Sequence, residues 1–165
     1  MKDEYPLHQV VEIKQKRLDE AERVLKQKRQ ELENEETKLR TREEELETSK
    51  AHYDEKIKQL RDELDAGTTS DKIDQMKNYL HIVEDDLKLR KKKVKEQQEL
   101  VIKAQEAVEI ARLDMLQKQR DIEKLSIHKG EWEKEESKEA LRQEAIEQDE
   151  IGTIRHVRKK RENKK

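Results

Sequence analysis

The chain has 165 residues, 48% of them charged and only 30% hydrophobic, with a net charge of −2. An ordinary globular domain carries roughly 45–50% apolar residues, so a conventional core is excluded. Yet Ala, Glu, Leu, Lys and Arg supply 92 of the residues, and that composition with almost balanced charge marks a long helix or coiled coil rather than a disordered chain.

Other classes fall on composition too. Without cysteine there is no disulfide framework, thiolate nucleophile or cysteine zinc site. No apolar stretch approaches the ~18–20 residues of a membrane span, and the start lacks a signal peptide's apolar core. Three glycines cannot build a Gly-rich phosphate loop. A soluble, cytoplasmic protein is the expectation.

In chain order, Pro6 suits the first turn of a helix, where its missing N–H would be unpaired anyway. No Gly or Pro follows until Ala66-Gly67-Thr68-Thr69-Ser70-Asp71, the one turn-like cluster. Gly67 can take the left-handed conformation that closes a helix, and Thr69 or Ser70 can cap the next. The expected organisation is a single coiled-coil hairpin over 1–165: helix one about 6–65, turn 66–70, helix two about 71–150 and a basic tail 152–165. Gly130 reads as a soft point and Gly152 as the place where helix two frays.

Heptad spacing is the strongest signal. Leu18, Leu25, Leu32, Leu39, Leu46, Tyr53 and Leu60 recur every seventh residue, with Val11 one heptad earlier. Ile73, Leu80, Leu87, Val94, Val101, Val108, Met115 and Ile122 form a second strict row, shadowed three residues later by Met76, Val83, Arg90, Gln97, Ala104, Ala111, Lys118, Leu125 and Trp132. Such rows keep one stripe on one side of a slightly underwound helix and demand a helical partner. The phase breaks between Leu60 and Ile73, as an antiparallel hairpin requires and a single rod does not. The fold class is therefore all-α, an antiparallel two-helix coiled-coil hairpin with a C-terminal overhang of helix two.

A register with Leu64 opposite Ile73 brings Ile57 to Leu80, Leu25 near Ala111 and Val11 near Leu125. It also sets Leu46 against Arg90, Leu39 against Gln97, and Val94 and Val101 against Glu43 and Glu36. Burial per layer there should be about 1–2 kcal/mol, which predicts a well-packed tip and a compliant midsection. Helix two outruns helix one beyond residue 130 or so. In the overhang, residues 131–150 carry nine acids against three bases, and 155–165 carry seven bases against Glu162 alone. Trp132, Leu141, Ala145 and Ile146 offer apolar surface there with no expected intramolecular partner.

The sites that remain are surfaces. His8, His52, His81, His128 and His156 are scattered singly, so no metal site is expected. A two-helix coil has no cleft to raise a carboxyl pKa, so no catalytic residue and no cofactor is expected. The basic run from Arg155 to Arg161 suits a helix C-terminus, and with no interleaved aromatics neither nucleic acid nor a small molecule is an expected partner. Ile82, Leu89, Ile102, Ile110 and Leu116 lie off the seam stripe and read as a contact face for a partner, while Tyr79 lies off it near the tip.

The opening Tyr5-Pro6-Leu7-His8-Gln9-Val10-Val11-Glu12-Ile13-Lys14 resembles the start of YscO/FliJ-type stalk proteins of type III secretion systems. The run from Lys56 to Arg61, the turn from Asp65 to Lys72, and the segment from His128-Lys129-Gly130-Glu131-Trp132-Glu133 to Glu150 look most like the chlamydial branch. The resemblance implies a coiled coil similar to the axle of the F1 rotary ATPase. It implies a non-catalytic stalk, cytoplasmic and peripheral to the inner-membrane secretion apparatus, that links the secretion ATPase hexamer to the export-gate membrane protein. The terminal end would enter the ATPase through Trp132, Leu141 and Ile146, and the turn end would meet the cytoplasmic domain of the gate near Tyr53 and Tyr79. An alternative is an escort that binds and recycles secretion chaperones through Ile102, Ile110 and Leu116.

Overall fold

The computed structural model describes residues 5–162. It consists of two helices, α1 (His8–Ala66) and α2 (Ser70–Glu162), with no strand among the described residues. The fold is an all-α antiparallel coiled coil. Its residues fall into two compact units, Glu20–Met115, which holds the turn, and Met1–Asp19 with Leu116–Lys165.

Within Glu20–Met115, α1 stops because Gly67 turns left-handed, at φ 78°, and donates its N–H to the Leu64 carbonyl at 3.3 Å. An L side chain at that φ is strained, so Gly67 is the residue that permits the reversal. Two residues on, the Thr69 carbonyl accepts the Ile73 N–H at 3.2 Å and opens α2 as its N-cap. The seam is where the heptad rows predict it. Val83, Leu87, Val94, Val101 and Ala111 are buried, and Ile73, Leu80 and Val108 are half-buried. On α1, Leu25 is buried and Leu32, Leu39, Leu46, Tyr53 and Leu60 are half-buried.

The register differs from the expected one by a residue. Glu63–Lys72 (2.8 Å), Ser49–Asp86 (3.0 Å), Glu45–Arg90 (3.3 Å) and Arg42 to the Lys93 carbonyl (3.1 Å) are each equidistant in sequence from the Gly67–Thr68 bond. Leu64 opposite Ile73 would centre the hairpin one residue later. Leu64 is instead 48% exposed, and the carboxylate of Glu63, one residue earlier, reaches across to Lys72. Glu43 and Glu36 are likewise exposed rather than set against Val94 and Val101. Their half-buried counterparts on α1 are Arg42 and Glu35, each one position earlier.

Packing runs opposite to expectation along this unit. The tip residues Ile57, Leu60, Ile73 and Met76 are only half-buried, and the buried side chains lie farther from the turn, between Ala21 and Ser49 on α1 and between Val83 and Ala111 on α2. The cause is a second α1 row, Lys14, Ala21, Lys28, Glu35, Arg42, Ser49, Lys56 and Glu63, every member of which is half-buried or buried. Long side chains can bury their stems while their heads reach polar partners, and Ala21 and Ser49 are short enough to be covered. Gln97 is the extreme case at 1% exposure. Its amide donates to both the backbone carbonyl (3.1 Å) and the carboxylate of Glu35. Among the described residues no buried side-chain polar atom lacks a partner.

In the second unit, residues 5–19 of the chain run against 116–132. Lys14 bonds Asp121 at 2.8 Å, again equidistant from the Gly67–Thr68 bond. Val11, Leu18, Leu116, Ile122 and Leu125 are half-buried along this stretch. The helix begins at His8, later than expected, because Tyr5 and Pro6 sit in a turn that closes with the His8 N–H on the Tyr5 carbonyl at 3.0 Å. At the other end α2 runs through Gly130 and Gly152 to Glu162 instead of fraying near residue 150. Single glycines cost only about 1 kcal/mol each among helix-favouring neighbours. Residues 163–165 of the expected basic tail lie outside the described residues.

Two outcomes can be measured on this seam. Gln97→Ala should lower urea stability by about 0.5–1.5 kcal/mol, since it removes the hydrogen bonds to the Glu35 carbonyl and carboxylate while Lys38 still serves the carboxylate, whereas Glu36→Ala on the surface should stay within about 0.5 kcal/mol. The second concerns acid. Hydrogen bonds from Lys38 and then Gln97 hold the Glu35 carboxyl below its usual range, Arg90 and Ser49 do so for Asp86, and Lys14 for Asp121. Depressed carboxylates stabilise the fold above their unfolded pKa values of about 4, and that contribution disappears as pH falls through the lower folded values. Circular dichroism should show helix loss in that acid window, with a shallower slope in Asp86→Asn.

Candidate functional site

Near the turn, α1 and α2 place His52, Lys56 and Tyr79 on one flank. The Tyr79 hydroxyl and His52 Nε2 share a hydrogen bond at 3.1 Å, their rings meet edge to face at 87°, and Lys56 Nζ sits 5.8 Å from the Tyr79 ring centre. Together with Gln59, Gln75 and Met76, Lys56 and Tyr79 line a shallow groove. Tyr79 remains 45% exposed there, a rigid amphipathic ring held by two neighbours. Tyr53, by contrast, is half-buried on the seam. Of the two tyrosines, Tyr79 offers the more exposed ring.

At the other candidate surface, the Tyr5 ring is 5% exposed and clasped by α2. Its hydroxyl shares a 2.7 Å hydrogen bond with His128 Nδ1, and its ring lies 5.8 Å from the His128 ring and 5.5 Å from that of Trp132. Trp132 is therefore half-buried with an intramolecular partner, contrary to the expectation that it has none. The heptad rows could not reveal this, because Tyr5 precedes the first helical residue and belongs to no row. The signal was the recurrence of aromatics at both ends of the paired stretch in a chain that has only four.

Beyond Trp132 every residue of α2 from Glu133 to Lys160 is exposed. Leu141, at 66% exposure, and Ile146, Ile151, Ile154 and Val157 all face solvent on this segment. Acidic residues concentrate in its first part and Arg155, Arg158, Lys159 and Lys160 in its last, an order that complements the negative C-terminal end of the helix dipole. It presents opposite charges to a partner at its two ends.

The third group of predicted residues divides. Ile102 and Ile110 are exposed, the latter at 70%, but Leu116 is half-buried. Ile82, Leu89 and Leu100 are exposed as well, and Leu100 belongs to neither heptad row.

These features, a heptad-paired antiparallel coil with exposed apolar residues on its flanks, define a coiled-coil protein of the interaction class. The YscO-like family profile matches residues 2–162, and the chain belongs to that family of type III secretion proteins. Among solved structures it is similar to the candidate YscO homologue CT670 from Chlamydia trachomatis, with 45% identity over 96% of this chain and 98% of that one and a TM-score of 0.89. A chain of the CdsV and CdsO protein complex from Chlamydia pneumoniae is 48% identical over 48% of this chain and 96% of its own, with a TM-score of 0.46. No curated protein matches. No helix is long and apolar enough among the described residues to cross a membrane.

Because Trp132 is the chain's sole tryptophan, the clasp can be read directly. Tyr5→Ala should shift its fluorescence to longer wavelength and cost about 0.5–1.5 kcal/mol for the lost ring contact. Hydrogen-exchange protection around Gln97 should not change. An unaltered emission spectrum would contradict the clasp.

Proposed function

We propose that this chain is the non-catalytic stalk of a type III secretion system, joining the hexameric secretion ATPase to the cytoplasmic domain of the export-gate protein. The observation that carries the reading is the far end of α2, exposed at every residue from Glu133 to Lys160 and charge-segregated along its length. A single helix of about 10–12 Å diameter enters a ring where a helix pair does not fit. Leu141 and Ile146 are the apolar contacts this segment offers to the ATPase. Trp132 serves instead to hold the start of the chain against α2, immediately before the free segment begins. Tyr79 on its groove is the contact offered to the gate, since tyrosine supplies a large amphipathic surface at low conformational cost. The escort reading has less behind it, because Leu116 is half-buried and Ile102 and Ile110 lie on opposite flanks of the seam.

The test separates the two surfaces. Truncation after Glu133 keeps the Tyr5 clasp intact and should abolish stimulation of the cognate secretion ATPase. Tyr79→Ala should weaken binding of the gate's cytoplasmic domain by about tenfold, a loss of about 1.4 kcal/mol, and leave ATPase stimulation unchanged. Full stimulation by the truncated chain would overturn the stalk assignment.

A further inference from the structure

Alongside its seam, α2 carries a second heptad stripe. It occupies the positions one residue before each seam residue, from Tyr79 to Ile110 at alternating spacings of three and four. Six of its ten members are apolar: Tyr79, Ile82, Leu89, Leu100, Ala107 and Ile110. All of these but the half-buried Ala107 are exposed. The opposite flank, from Lys77 to Glu109 at the same alternation, has one apolar member in ten, Ile102. The helix is thus apolar on its seam and on one flank only. A helix with two adjacent apolar stripes has coiled-coil surface for a further helix.

The order of the stripe names the occupant. It reads the same from either end about a midpoint between Val94 and Lys95. Tyr79 is as far from that midpoint as Ile110, Ile82 as Ala107, and Leu89 as Leu100. The remaining four members are charged, and they pair by sign: Asp86 with Lys103, and Lys93 with Glu96. A twofold axis makes this demand, because each residue must then suit the mirror position of its own stripe. A heterologous helix would need no such symmetry. On α1 the positions beside the stripe include Thr41 and Thr48, short uncharged side chains lining shallow grooves next to Lys93 and Asp86. They leave room for a helix to approach.

We propose that this flank is a self-complementary interface, on which a second copy of the chain packs antiparallel along α2 with its twofold axis between Val94 and Lys95. Every apolar member then meets an apolar member and every charge its opposite, each contact occurring twice. Tyr79 lies at the edge of this interface as well as in the turn groove, so the second copy competes with any partner of that groove.

Because the stripe is solvent-exposed in the single chain, its variants should keep the hairpin, checked by unchanged circular dichroism. Sedimentation of the full chain at about 100 µM, a concentration matched to an interface of roughly −5 to −8 kcal/mol, should show a dimer. Lys93→Glu and Glu96→Lys should each weaken it by about tenfold or more through two new like-charge contacts, about 1.4 kcal/mol per tenfold, and the double variant should restore it. The chain has no cysteine, so the double variant Leu89→Cys, Leu100→Cys should form dimers linked between chains. On one helix those two positions are roughly 16 Å apart and cannot join. A chain that stays monomeric, a dimer linked through Leu89→Cys alone, or a double charge variant no better than the singles would each overturn the proposal. So would a monomeric chain whose stripe is covered by another protein's helix.

Discussion

A two-helix coil has one seam and nothing behind it, and every other property of this protein follows from that lack of depth. No side chain can be surrounded on all sides by apolar neighbours, so most of the leucines at the seam remain half-buried. Polar residues can share the seam because their heads reach solvent or a partner at its margin. The cross-helix pairs Ser49–Asp86, Glu45–Arg90, Glu35–Gln97 and Lys14–Asp121 occupy those margins. Individually, such pairs add little net stability, because solvent screens their charged heads. Their effect is on alignment. A row with one leucine per heptad is nearly periodic and would tolerate a slip of seven residues, but these pairs differ from heptad to heptad and match in one alignment only. Gln97, the most deeply buried of them, carries the largest penalty if it is displaced from Glu35.

The apolar half of the seam was legible from spacing alone, from Leu18 through Leu60 and from Ile73 through Ile122. Its polar half was not. Lys28, Glu35 and Arg42 occupy seam positions with side chains that look, in sequence, like any of the charged residues making up 48% of the chain. The register was therefore missed by one residue at Leu64, and the midsection was expected to be looser than it is. The candidate surfaces divide the same way. Tyr79 and the far end of α2 were visible as residues off the two seam rows. The Tyr5 clasp was not, because it depends on a turn at Pro6 that carries the ring back to Trp132, and turns have no period.

The two ends of the paired stretches are closed by different means. At Gly67 a left-handed residue reverses the backbone, and at Tyr5 a buried aromatic ring holds the chain's beginning onto α2 without a covalent or backbone link. The first is a feature of main-chain geometry and insensitive to side-chain chemistry nearby. The second rests on one ring, one hydroxyl and one indole, so it opens at the cost of a single local contact while the seam around Gln97 stays closed.

Past that clasp α2 changes mechanically although its secondary structure does not. Flexural rigidity grows steeply with cross-section, so a lone helix yields to thermal buffeting far more readily than the same helix braced by a neighbour. The exposed stretch from Glu133 to Lys160 is therefore the more easily bent part of α2. A segment that bends readily relaxes the orientational demand that slows the docking of rigid surfaces.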